Sequence, residues 1–169
     1  MDPGSAFGTG SHPTTRLCLE ALEQQPPSGL RVADLGCGSG VLGLAALGLG
    51  ARQVLSVDTD SLAVRATTDN AVLNNRSVDA LRVSQGSVEV LATLLEGQPA
   101  DLLLCNILAP VIEALAPHFQ AVLRPGGRGL LSGLLVEQAP RLTEVLGSLG
   151  WSVEPLAEQG RWGLLEIRR

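Results

Sequence analysis

The chain has 169 residues, 45% hydrophobic and 17% charged, with a mean hydropathy of +0.25, which excludes a disordered chain because apolar burial can offset the entropy lost on folding. Its 12 basic residues, all arginine, face 17 acidic ones for a formal net charge of −5, only 2% of residues are aromatic and tyrosine is absent. That is the wrong sign for a phosphate-backbone binder and too few rings for a base-stacking surface, and the missing lysines exclude a lysine Schiff base and a Walker-type phosphate lysine.

Short apolar or β-branched runs alternate with longer helical periods, the pattern of strand and helix units that build a parallel sheet. Pro13 opens a helix to about Gln24, ended by Gln25-Pro26-Pro27-Ser28-Gly29. A first strand over Arg31 to Leu35 runs into Gly36-Cys37-Gly38-Ser39-Gly40 and a helix from Val41 that stops at Gly48 and Gly50. A second strand covers Gln53 to Asp58, and Asp60 caps a helix with Leu62, Ala66, Asn70 and Leu73 at helical spacing. A third strand at about Ala80 to Gln85 and a helix from Val88 to Leu95 follow. The fourth strand, Asp101 to Cys105, is ended by Asn106.

The periodicity predicts one helix from Ala109 to Val122, broken by Pro125-Gly126-Gly127, then a fifth strand from Arg128 to Ser132 and a last helix from Val136 to Leu149. Two extended runs, Trp151 to Leu156 and Arg161 to Ile167, joined through Gln159-Gly160, should pair antiparallel. The expectation is a single α/β domain over 1–169 with seven strands. Cys18, Cys37 and Cys105 are odd in number and widely spaced, which favours a reducing compartment and no structural metal. The uncharged stretch Leu35 to Ala51 is too short for a membrane span, and MDPGSAFGTGSHP has no secretory pattern. A glycine-rich loop directly after Met1 reads as a connection to sequence upstream.

The strongest chemical signal is Val32-Ala33-Asp34-Leu35-Gly36-Cys37-Gly38-Ser39-Gly40, a strand, a glycine turn and a helix start, where backbone N–H groups and the helix dipole can meet a ligand closely. Asp58, at the end of the second strand, can accept both hydroxyls of a ribose, so an adenosine-type cofactor is expected. Gly38, Gly40 and Gly43 also satisfy G-x-G-x-x-G, but a dinucleotide fingerprint sets its first glycine immediately after the strand, and from Gly36 the third position is Val41. Asn106 can donate and accept, which suits orienting an amine; equally, it can cap the helix that follows. His12, Thr14 and Thr15 read either as helix-start residues or as site residues, and Phe7 as a hydrophobic staple or a site residue.

Asp34-Leu35-Gly36-Cys37-Gly38-Ser39-Gly40 resembles the D-x-G-x-G-x-G pattern of class I S-adenosylmethionine-dependent methyltransferases. With Asp2-Pro3-Gly4-Ser5-Ala6-Phe7-Gly8-Thr9-Gly10-Ser11-His12-Pro13-Thr14-Thr15, VDTD at 57–60 and Asn106-Ile107-Leu108, essentially the whole chain resembles the PrmA family. The resemblance implies a mostly parallel, Rossmann-like sheet with a C-terminal antiparallel hairpin, S-adenosyl-L-methionine as cofactor, and methylation of lysine ε-amino or α-amino groups of a ribosomal large-subunit protein. It implies that Thr15 and Asn106 contact the cofactor's methionine part, that Asp34, Gly36 and Gly38 form its cradle, that Asp58 holds the ribose and that Phe7 belongs to a covering loop over 1–12. The family's acidic adenine contact after the third strand is replaced by Gln85-Gly86-Ser87, which leaves the adenine to Ser87 or a backbone carbonyl. The family's N-terminal recognition domain is not part of this chain, which keeps a cofactor-binding domain without activity of its own as an alternative. A glutamine or small-molecule methyltransferase of the same fold is the other alternative, and N-I-L-A in place of the N-P-P-Y pattern that enzymes acting on planar amides or adenine amines resemble is the feature that separates it from the protein-amine reading. A cytoplasmic monomer without direct nucleic-acid or membrane contact is expected.

Overall fold

Seven strands form one sheet in a computed structural model that describes residues 10–169. They are β1 (Arg31–Leu35), β2 (Gln53–Asp58), β3 (Leu81–Gln85), β4 (Ala100–Asn106), β5 (Leu123–Leu135), β6 (Ser152–Gln159) and β7 (Trp162–Arg168). Their order is β3-β2-β1-β4-β5-β7-β6. The first five are parallel and β7 runs antiparallel to both β5 and β6, as expected for the terminal hairpin. β1 is buried along its length, the reason its run lacks polar alternation.

Helices cover both faces. On one side α1 (Pro13–Gln24), α2 (Val41–Gly48) and α3 (Ser61–Leu73) close a core around Leu22, Val32, Leu47, Val54 and Leu104. On the other, α4 (Val88–Leu94), α5 (Ala109–Leu115) and α6 (Ala139–Ser148) pack on Leu55, Leu103, Leu131 and the fully buried Phe119. Asp60 caps α3 as its position suggested, its carboxylate accepting from Leu62 N–H at 2.8 Å.

Several boundaries differ from the sequence reading, three of them at a proline or glycine. The helix predicted from Ala109 to Val122 is two pieces, α5 and a 3-10 helix over Ala116–Ala121, because Pro117 has no N–H and its ring excludes the carbonyl four residues back. β5 begins at Leu123, not Arg128, and ends at Leu135, not Ser132: Leu123 pairs with Ala100, Pro125-Gly126-Gly127 bulges out, Arg128 resumes opposite Leu102, and past a second bulge at Ser132-Gly133 the strand still pairs with β7. Likewise the helix from Val136 opens as a 3-10 turn over Val136–Gln138, and Pro140 starts α6 proper. β6 runs on to Gln159, past the predicted Leu156, while β7 keeps its predicted length one residue further along, with the turn at Gly160-Arg161.

Glu166 in β7 sits between Arg128 (2.6 Å) and Arg168 (2.7 Å), with Arg128 and Glu166 nearly buried. Burial works against its charge, yet the hydrogen bonds and charges of Arg128 and Arg168 hold its carboxyl below the usual 4.5. A lowered carboxylate pKa stabilises the fold above the unfolded value, and that contribution is lost as pH falls through the folded one. Glu166→Gln should therefore cost about 2 to 3 kcal/mol at neutral pH. In thermal denaturation followed from pH 7 to pH 3, the gap between mutant and unmodified chain should close on the acid side.

Candidate functional site

β1 is flanked by β2 on one side and β4 on the other, so the connections leaving their carboxyl ends diverge and open a crevice. A cavity of about 440 Å³ fills it. Its walls include Thr15, Asp34, Gly36, Gly38, Asp58, Ser87 and Asn106, which are all the sequence-predicted site residues within 10–169. Phe7, and with it the first nine residues of the predicted covering loop, lie outside the described residues.

The glycine loop turns through left-handed backbone at Gly36 (φ 77°), and a Cβ there would overlap the Ile107 side chain. Four of the loop's N–H groups, which the sequence reading expected to be open to a ligand, are bonded within the protein. Gly36 and Cys37 N–H donate to the Val57 carbonyl at 2.9 and 3.0 Å, Gly40 N–H to the Cys37 carbonyl at 2.8 Å, and Gly38 N–H to Asp58 Oδ2 at 2.9 Å. Four donors that could cradle a phosphate are thus satisfied by protein. The physical cause is close apposition of the loop to the end of β2, which fixes the Asp58 carboxylate; its Oδ1 also accepts from Asp60 N–H at 3.0 Å. Each carboxylate oxygen has two lone pairs, so both can still accept a hydroxyl from the cavity.

Asn106 does not cap α5. The cap position is Leu108, because β4 continues through Asn106 and two residues, a bend at Ile107 and the extended Leu108, separate it from the helix. Asn106 Nδ2 instead donates to Thr15 Oγ1 at 3.4 Å, and its Oδ1 is buried with no protein partner. Thr15 comes from the first turn of α1, which His12 caps: its Nδ1 accepts from Thr14 N–H at 3.3 Å, and its ring stands edge-on to Trp162. His12 therefore takes the helix-start role.

Asp34 is 1% exposed, and its Oδ2 is a second buried acceptor without a partner. Burial pushes its carboxyl up to about 7, the nearby Asp58 charge adds to this, and a hydrogen bond from Gly43 N–H opposes both. Ser87 stands at the start of α4 with no capping bond from its side chain. The cavity wall contains two carboxylates and, among the described residues, no arginine or histidine. Chemically it offers acceptors, so it fits a ligand that carries donors and positive charge.

Sequence reasoning missed the apolar wall. Ile107, Leu108, Val111 and Leu115 line the cavity, with Leu108 57% and Val111 43% exposed. Leu108, Val111 and Leu115 fall at i, i+3 and i+7, a second apolar stripe on α5 besides its core face at Ile112, and that doubled pattern was the available signal. Cys37 also lines the cavity, but burial, chiefly, raises its thiol to about 12, so it remains protonated. Among the described residues no group of three or more His, Cys, Asp or Glu could hold a metal, and no helix is long and apolar enough to cross a membrane.

Comparison with known proteins bears on this site. The sequence model of the family described as "Ribosomal protein L11 methyltransferase (PrmA)" matches residues 1–169. A curated ribosomal protein L11 methyltransferase of Parasynechococcus marenigrum (strain WH8102) is 75% identical over 169 residues, covering 100% of this chain and 58% of its own length, so the chain spans little more than half of that relative. The crystal structure of a ribosomal protein L11 methylase from Lactobacillus delbrueckii subsp. bulgaricus superposes with a TM-score of 0.79 at 32% identity, covering 92% of this chain and 78% of the other. A protein described as a methyltransferase and solved with SAH shares the fold, with a TM-score of 0.75 at 13% identity over 92% of this chain and 49% of its own.

The raised Asp34 carboxyl gives a stability test with an unusual sign. Its folded pKa of about 7 lies above the unfolded 3.8, so the folded state holds the extra proton and stability falls as pH rises between those values. Asp34→Asn should stabilise the ligand-free chain above pH 7, by up to roughly 4 kcal/mol, and leave it nearly unchanged at pH 4. Chemical denaturation at the two pH values measures the difference.

Proposed function

The chain belongs to the ribosomal protein L11 methyltransferase (PrmA) family, and from that premise we propose that it binds S-adenosylmethionine in the cavity beyond β1 and transfers methyl groups to lysine ε-amino or α-amino groups of a ribosomal large-subunit protein in the cytoplasm. One observation carries this reading: an acceptor-rich cavity with two carboxylates, two buried acceptors lacking partners and no basic side chain in its described wall. A dinucleotide needs N–H donors or cations for its pyrophosphate, and here the N–H groups of Gly36, Cys37, Gly38 and Gly40 already donate within the protein. The cofactor needs none, since it carries a sulfonium and an ammonium, and when bound it supplies an electrophilic methyl group.

The residues divide the work by position. Asp58, oriented by Gly38 and Asp60 N–H groups, accepts ribose hydroxyls. Ser87 serves the adenine edge, replacing the acidic residue of related enzymes, and the aliphatic side chains of Ile107, Leu108 and Val111 cover apolar surface and exclude water. Thr15 and Asn106 face the methionine end. Asn106 Oδ1, unpartnered in the chain itself, accepts an N–H from the incoming amine and turns its lone pair toward the reacting centre. No histidine lines the described cavity, so the amine arrives neutral and positioning supplies most of the rate.

Calorimetric titration should show S-adenosylmethionine and S-adenosylhomocysteine binding and NAD failing to bind. Asp58→Asn should weaken both adenosyl ligands by tenfold or more, the scale of a hydrogen bond to a charged group. Binding of NAD alone would overturn the reading. Radiolabelled methyl transfer to the isolated ribosomal protein, lost in Asn106→Ala, tests the substrate.

A further inference from the structure

β5 contributes no functional side chain to the cavity, yet it departs from regular pairing just where it passes Asn106. Between Leu131, opposite Leu165, and Leu134, opposite Gly163, β5 holds one residue more than β7, a bulge at Ser132-Gly133. Gly133 has a φ of 85°, and a Cβ there would overlap the Ile107 carbonyl, so only glycine lets the two backbones approach this closely. Ile107 N–H donates to the Ser132 carbonyl at 3.2 Å, and Asn106 is the register partner of Ser132. The Ser132 hydroxyl, fully buried, lies 3.2 Å from the Thr14 carbonyl and 3.3 Å from the Gly163 carbonyl, between which its single O–H is shared.

These contacts tie both halves of one hydrogen bond to the same two residues. Through its backbone the bulge holds the chain at Asn106-Ile107; through its hydroxyl it holds the first turn of α1, where Thr15 follows Thr14. We propose that Ser132-Gly133 is the positioning element of this site: it sets the Thr15 hydroxyl against the Asn106 amide and so fixes the orientation of the Asn106 side chain at the cavity wall. The ligand-binding consequence rests on the adenosyl reading above; the geometric one does not. A bulge suits this task because it re-aims local structure while the strand on either side keeps its pairing.

The test compares Ser132→Ala with Thr15→Ala and with Ser56→Ala, which removes another fully buried serine hydroxyl, on β2, that has no hydrogen-bond partner. In the ligand-free chain, the Asn106 side-chain amide signals in a nitrogen-resolved NMR spectrum should shift in Ser132→Ala as they do in Thr15→Ala, and stay in place in Ser56→Ala. S-adenosylhomocysteine affinity should fall about tenfold in Ser132→Ala, and that loss should vanish when Asn106→Ala is already present, the mark of one residue acting through another. Should Ser132→Ala not fold, Ser132→Cys, of similar size and with a weaker donor, is read in its place. Unmoved Asn106 signals, or losses that add in full, would overturn the proposal. If the unmodified chain binds no S-adenosylhomocysteine, the adenosyl reading fails while the amide signals still decide the role of Ser132.

Discussion

The position of β1 between β2 and β4 is the constraint on which the site depends. A strand paired in parallel to both neighbours sends its connection to one face of the sheet while the connection after β4 leaves to the other, and the space between them cannot be filled by either. Asp34, the glycine turn, Asp58 and Asn106 all hang from the carboxyl ends of these three strands. Their spacing along the chain is large, and the parallel register alone brings them to one cavity wall. α1 completes the arrangement by delivering Thr15 across the end of β4.

Electrostatics then decides the kind of ligand. A glycine turn before a helix suggests an anion site by itself, but this turn is hydrogen-bonded to the Val57 carbonyl and the Asp58 carboxylate, so its positive end is answered from within the protein. What remains is the Asp58 carboxylate at the cavity wall, the buried and unpartnered Asp34 Oδ2 and Asn106 Oδ1 behind it, and an aliphatic wall. A buried carboxylate and amide oxygen without partners are costly in a low-dielectric site, and a ligand that brings donors and positive charge relieves that cost on binding. The same acids would repel a pyrophosphate.

Much of this was legible in the sequence. The strand and helix alternation, the D-x-G-x-G-x-G turn, Asp58 at a strand end and the Asp60 cap each follow from local chemistry that the tertiary structure leaves intact. Errors arose where one residue type has two uses. Pro125-Gly126-Gly127 reads as the end of a helix and the start of a strand, but it is a bulge inside β5, and Pro117 ended α5 earlier than its apolar period suggested. Asn106 before a helix reads as a cap, yet Ile107 and Leu108 intervene. The aliphatic residues Ile107, Leu108 and Val111 were missed as site residues because apolar side chains at and before a helix start normally belong to a core; the second apolar stripe through Leu108, Val111 and Leu115 was the signal, and the exposure of Leu108 and Val111 at the cavity bears it out. The bulge at Ser132-Gly133 was missed, since the fifth strand was expected to end at Ser132, although a glycine followed by Leu134-Leu135 is the pattern of a bulge within an apolar strand.

The most direct test is a crystal structure of the 169-residue chain with S-adenosylhomocysteine. The account predicts the ligand in the cavity beyond β1, its ribose hydroxyls on Asp58, its adenine beside Ser87 and its homocysteine end against Thr15 and Asn106. A ligand bound with its ribose away from Asp58, or outside this cavity, would contradict it.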